Sequence, residues 1–168
     1  RTIKLILKAN RNLPILQIYT DSDHGGDPDN GRSTTGIIIL MYGIPILAKS
    51  GIQRINAKSS TNAEIIALCD AVEEVVWIKN LLTELDELNE TPTIWVDNQP
   101  AIDTVKHNKI CKGNKHIANR YYFVKDNYKR KELKIEHIPT NENIADIMTK
   151  PLTKTQFEYL RNKFMHQK

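Results

Sequence analysis

Apolar positions along this chain change their spacing twice. The first third reads as β-structure. Residues 14–19 form an apolar run that ends in Asp21 and Asp23. Residues 35–42 (TGIIILMY) form a second run, and Gly43 makes a tight connection to a third at residues 44–49. Such short connections predict antiparallel neighbours and hence a three-stranded meander. From Thr61 the spacing becomes helical. Ile65, Leu68, Cys69, Val72, Val75, Val76 and Leu82 form one wide apolar stripe, which predicts a long helix over residues 61–88. Thr61-Asn62-Ala63-Glu64 matches a capping box, which would place Glu64 in the first turn.

The second half alternates. Pro92 closes an acidic linker, and residues 93–96 read as a fourth strand. The helix between strands three and four leaves room for a crossover and a parallel placement. Residues 99–106 and roughly 116–129 read as helices, and residues 133–138 as a fifth strand. PTNENIADIMTK predicts another helix capped by Thr140 or Asn141, and residues 156–164 a last amphipathic helix. Residues 2–9 read as a short helix broken at residues 10–14. The order predicts an α/β fold. Its five-stranded mixed sheet has three antiparallel strands plus two further strands, with helices on its faces.

Composition narrows the options. At 168 residues and 40% hydrophobic content, the chain suits one packed domain. The two cysteines, Cys69 and Cys111, have no CxxC spacing, which argues against a zinc site or a disulfide framework. No apolar run approaches the roughly 20 residues that span a bilayer, and no secretion signal is visible. The net charge of +4 is unevenly placed. Ten Lys/Arg and two Asp/Glu lie between Lys106 and Lys134, a local net of +8, and the rest of the chain is slightly acidic. That asymmetry suggests a polyanionic partner, although a solvated helix face would show it too.

Four carboxylates fall at the ends of predicted elements: Asp21 after strand one, Asp97 after strand four, Glu64 at the start of the long helix and Asp146 after strand five. Each also has an ordinary reading. Asp21 could cap a turn, Glu64 could only complete the capping box, Asp97-Asn98 could cap a helix, and Asp146 could sit near a helix start. If strands one and four are neighbours, the first two lie side by side and the others could close a ring of four. Clustered carboxylates repel, and a divalent cation relieves the repulsion. Two such ions about 4 Å apart suit a phosphodiester displacement.

YTDSDHGGD, RSTTG, KSGIQRINAKSSTNAEIIAL, WVDNQPAI, KHIANRYYFVKD and IPTNENIADIMTKPL occur here in one order. That series resembles the ribonuclease H domain that closes Ty1/copia-type retrotransposon Pol polyproteins. The resemblance implies a ribonuclease-H-like fold and a metal-dependent endonuclease that cuts the RNA strand of an RNA–DNA hybrid. It implies two Mg²⁺ ions, with Mn²⁺ as a substitute, held by Asp21, Glu64, Asp97 and Asp146. A catalytically inactive or domesticated nucleic-acid-binding module is the alternative. Partners implied are the hybrid and the reverse transcriptase domain of the same polyprotein, in the cytoplasm within virus-like particles, with no membrane. Residues 1–14 would end the connection from the reverse transcriptase, residues 15–150 would form the ribonuclease H domain, and residues 151–168 a C-terminal helix. Ser22, Asn98, Gln99, Lys115, His116 and Arg120 are the expected nucleic-acid contacts. Lys115, His116, Arg120, Lys125 and Lys129 are expected along one helix face, with Phe123 and one tyrosine packed inward. The family's usual Glu is absent at Asn62, and its usual Trp at His24.

Overall fold

A computed structural model describes residues 9–107 and 115–165. The helix expected over residues 2–9 lies outside the described residues, apart from Ala9. Three strands open the described chain: β1 (Leu16–Asp23), β2 (Thr34–Met41) and β3 (Ile44–Ile52). They pair as the antiparallel meander that the short connections predict. Met41 faces Ile44, so the hairpin loop is Tyr42-Gly43, with φ of 51° and 79°. Positive φ at both positions is what a two-residue turn needs to match the sheet's twist.

Helix α1 (Ser60–Glu84) crosses over to β4 (Thr93–Val96), which lies parallel to β1. Helices α2 (Gln99–His107) and α3 (Lys115–Lys129) lead to β5 (Lys134–His137), parallel to β4. The sheet order is β3-β2-β1-β4-β5, five strands of mixed direction. Alternation along the central strands feeds two cores. Leu16, Ile18, Ile37 and Ile39 pack under α1, α2 and α3. Ile38 and Leu40 point to the other face, against Ile144 and against Leu160 of α4 (Lys154–Asn162). Helices therefore cover both faces.

Two differences from the sequence reading bear on the site, while the limits of the other elements shift by a few residues. Helix α1 starts one residue earlier, because Ser59 caps it by accepting from the Asn62 N–H at 3.2 Å. Glu64 is thereby moved beyond the first turn and out of the capping box, and its side chain is buried. The segment expected as a helix after β5 is two short 3-10 turns, Thr140–Glu142 and Ile144–Met148. Asn143, not Thr140 or Asn141, caps the second by accepting from the Ala145 N–H.

Candidate active site

The register between β1 and β4 pairs Gln17 with Thr93, Ile18 with Ile94 and Tyr19 with Trp95. Two residues further on, the same register carries Asp21 beside Asp97. Paired residues of parallel strands project to the same face. Asp146 comes from the 3-10 turn that lies across this end of the sheet. Carboxylate oxygens of Asp21, Asp97 and Asp146 all lie within 4.8 Å of one another.

The close approach of that turn has a local cause. Gly36 faces Asp21 across β1 and β2. A Cβ on Gly36 would stand 2.7 Å from Thr149 Cγ2 and 2.8 Å from Ala145 O and Met148 Cβ. Those separations are not tolerated, so only glycine lets the turn sit on the sheet. Asn143 ties the turn down from the other end. Its Nδ2 donates to Thr20 O of β1 at 2.9 Å, and the side chain is fully buried. The Ser50 hydroxyl donates to Met148 O at 2.6 Å.

Asp21, Glu64 and Asp146 are each oriented by a neighbour. The Thr149 hydroxyl donates to Asp21 Oδ2. The Ser22 N–H and hydroxyl both donate to Glu64 Oε1, at 3.2 and 2.8 Å. Lys150 Nζ lies 3.1 Å from Asp146 Oδ1 and 3.9 Å from Asp21 Oδ2. Asn98 accepts from the Ala101 N–H at 2.9 Å and so caps α2. The cap is therefore Asn98 alone, and Asp97 remains for the carboxylate cluster. Glu64 stands beside the three aspartates rather than among them, so the expected ring is three converging acids with a fourth held aside by Ser22.

Crowding and burial act on protonation. Burial, then the nearby Asp21, push Glu64 up to about 8 and Asp146 up to about 7. Burial also raises Asp21, against the pull of Thr149 and Lys150. Burial opposes the charge on Lys150, yet Asp21, Asp146 and Asp97 together hold its pKa above the ordinary lysine value. Glu64 Oε2 is buried and has no partner among the described residues. Unpartnered buried oxygen, raised carboxylates and an all-oxygen donor set fit a hard divalent cation.

The other expected contacts are scattered. Ser22 is at the site, as the partner of Glu64. Gln99 Nε2 is used along α2, donating to Asp103 at 2.8 Å. Arg120 turns away from the carboxylates and pairs with Asp70 of α1 at 2.5 Å. Lys125 is buried, its ammonium 5.3 Å from the centre of the Tyr121 ring. Lys129 is exposed. The side chains of Lys115 and His116 lie outside the described ones. Tyr121 is the inward tyrosine, but Phe123 is 37% exposed and does not pack inward as expected. Thr149, Lys150, Asn143 and Gly36 were missed as site residues. Their one sequence signal is proximity to Asp146 within IPTNENIADIMTKPL for three of them, and RSTTG for Gly36.

A mixed sheet in this order, with acids at the ends of its two central parallel strands, defines the ribonuclease H fold. Solved structures agree. LC11-RNase H1, isolated from compost by a metagenomic approach, superposes with a TM-score of 0.61 at 21% identity, covering 80% of this chain and 91% of its own. The same enzyme in complex with RNA/DNA hybrid gives 0.58 at 21% identity, over 80% and 93%. No protein-family model matches the chain. In sequence it is 38% identical over 145 residues to the Pol polyprotein of transposon TNT 1-94 of Nicotiana tabacum, covering 86% of this chain and 11% of that one. It is 31% identical over 152 residues to the Ty1-JR2 Gag-Pol polyprotein of Saccharomyces cerevisiae, covering 90% and 9%. The chain is homologous to one segment of Ty1/copia-type retrotransposon Pol polyproteins. It spans about a tenth of the length of those relatives.

Proposed function

We infer that this chain is a ribonuclease H domain that hydrolyses the RNA strand of RNA–DNA hybrids during reverse transcription of a retrotransposon. The observation that carries the reading is the convergence of Asp21, Asp97 and Asp146 within 4.8 Å, with buried Glu64 beside them. The homology to Pol polyproteins supplies the biological setting, and the hybrid in the complex of LC11-RNase H1 supplies the substrate class.

Asp21, Asp97 and Asp146 would hold divalent cations, Mg²⁺ or Mn²⁺, with Glu64 closing the site. Bound there, such ions would supply Lewis acidity for displacement at a phosphodiester. The protein's own part is positioning. Thr149 fixes the rotamer of Asp21, Ser22 fixes that of Glu64, and Asn143 and Gly36 seat Asp146 against the sheet. Oxygen-only ligands held in this way need little rearrangement when a cation arrives. Exposed cations of the basic segment, Lys129 among them, would bind phosphates without reading sequence. Distinction of RNA from DNA would rest on the 2′-hydroxyl and groove shape. The reverse transcriptase region of the same polyprotein is the expected partner for grip on the hybrid, joined through residues 1–14, and virus-like particles in the cytoplasm are the expected setting.

The test is cleavage of a hybrid labelled on each strand, with Mg²⁺ or Mn²⁺, beside an Asp97→Asn variant. Cleavage of the RNA strand alone, lost in the variant, supports the reading. Hybrid binding without cleavage, also after addition of the reverse transcriptase region, would instead leave an inactive binding module.

A further inference from the structure

Lys150 follows the 3-10 turn directly. Its N–H returns to Asp146 O at 3.3 Å, so its side chain starts one turn from that aspartate. The ammonium then bridges the two most buried acids of the cluster, 3.1 Å from Asp146 Oδ1 and 3.9 Å from Asp21 Oδ2. Among the described residues, no other Lys or Arg pairs with Asp21, Asp97 or Asp146. The lysine side chain is 33% exposed, against 2% and 4% for the two aspartates. It therefore reaches in from the rim, with a path back to water along its flexible stem.

Building on the metal-site reading above, we propose that Lys150 is the internal counter-ion of the carboxylate cluster and competes with divalent cations for it. An Asp146 oxygen held in an ion pair with an ammonium 3.1 Å away, although without a hydrogen bond from it, cannot give a hard cation its full negative charge. Two positive centres a few ångströms apart also repel. Entry of a cation must displace or weaken the Lys150 contacts, and Lys150 thereby sets the metal affinity. Without metal, the same lysine keeps Asp21 and Asp146 together against their mutual repulsion. This is a positioning role, exerted through the acids.

The two effects have opposite signs in one variant, which a purely structural lysine would not give. The measurements are calorimetric titration with Mn²⁺ and thermal melting after chelator treatment. They are made on the 168-residue chain and on Lys150→Met, Lys150→Arg and Asp97→Asn. We expect Lys150→Met to bind Mn²⁺ at least about tenfold more tightly while its metal-free form melts lower. Lys150→Arg, which keeps the charge, should restore both toward the parent. Lys150→Gln replaces the Met variant if circular dichroism shows that the latter does not fold. Equal or weaker Mn²⁺ binding by the folded neutral variant overturns the proposal and leaves the metal site standing. Absence of binding in the parent and in every variant overturns the metal-site reading, and the proposal with it.

Discussion

Asp21 and Gly36 face one another across β1 and β2, and the absent side chain of Gly36 is what lets Asp146 reach Asp21. The sheet supplies two acids by register alone. The third arrives on a turn that needs bare backbone beneath it. Gly36→Ala should therefore push residues 144–149 off the sheet. The expected cost is about 1–3 kcal/mol of stability, as for an overpacked core, measured by urea denaturation. Cleavage activity should fall more steeply than stability, because the Asp21–Asp146 separation changes first.

Asn143 makes a second, independent anchor. Its oxygen caps the 3-10 turn and its amide satisfies Thr20 O in a fully buried position. Asn143→Ala loses the cap and leaves a buried carbonyl unpaired. The expected loss is about 2–3 kcal/mol by denaturant titration. Asn143→Asp keeps the cap but not the donor, and should be nearly as destabilising.

The raised carboxylates predict the pH dependence of the metal-free protein. Glu64 moves from 4.5 to about 8 and Asp146 from 3.8 to about 7, with burial the leading cause in both. Both groups bind protons more tightly folded than unfolded. Their contribution is thus most favourable below about pH 4 and is lost as pH rises through the window up to about 8. Glu64→Gln removes one proton from this linkage. Melting after chelator treatment should show the variant gaining on the parent from pH 5 to pH 8, by at most about 1.4 kcal/mol per pH unit.

Arg120 gives a prediction against the charge pattern. It lies in the basic segment, but its guanidinium is held by Asp70. Arg120→Ala should leave the salt dependence of hybrid binding unchanged, while Lys129→Ala should shallow the slope by about one unit. A reduced slope in the Arg120 variant would show that the pair opens to meet phosphate.

The sheet was legible because its strands are short apolar runs bounded by turn residues, and their connections dictate direction. Asp21 and Asp97 followed from strand ends. The start of α1 was not, because Ser59, Ser60 and Thr61 are all good caps, and it is Ser59 that accepts from the Asn62 N–H. Moving the cap from Thr61 to Ser59 shifts Glu64 by two positions along the helix, which is the difference between capping and pointing at Ser22. The turn carrying Asp146 reads as a helix from the sequence, with Thr140 or Asn141 as its cap and Pro151 at its end. Its 3-10 form reflects seating on Gly36 and anchoring by Asn143 to Thr20, contacts more than a hundred residues apart in sequence. Arg120 was misplaced for the same reason: a run of like charge reveals nothing of a partner fifty residues away. Lys150, two residues beyond Met148, gave no sign of its role beyond standing four residues after Asp146.

Asp21, Asp97 and Asp146 as a divalent-cation site can be tested in crystals of the chain soaked in Mn²⁺ and measured at the manganese absorption edge. We expect anomalous density in contact with all three aspartates, and its loss in Asp97→Asn. Density only at surface carboxylates, or none in a lattice that leaves the site open, would contradict that assignment.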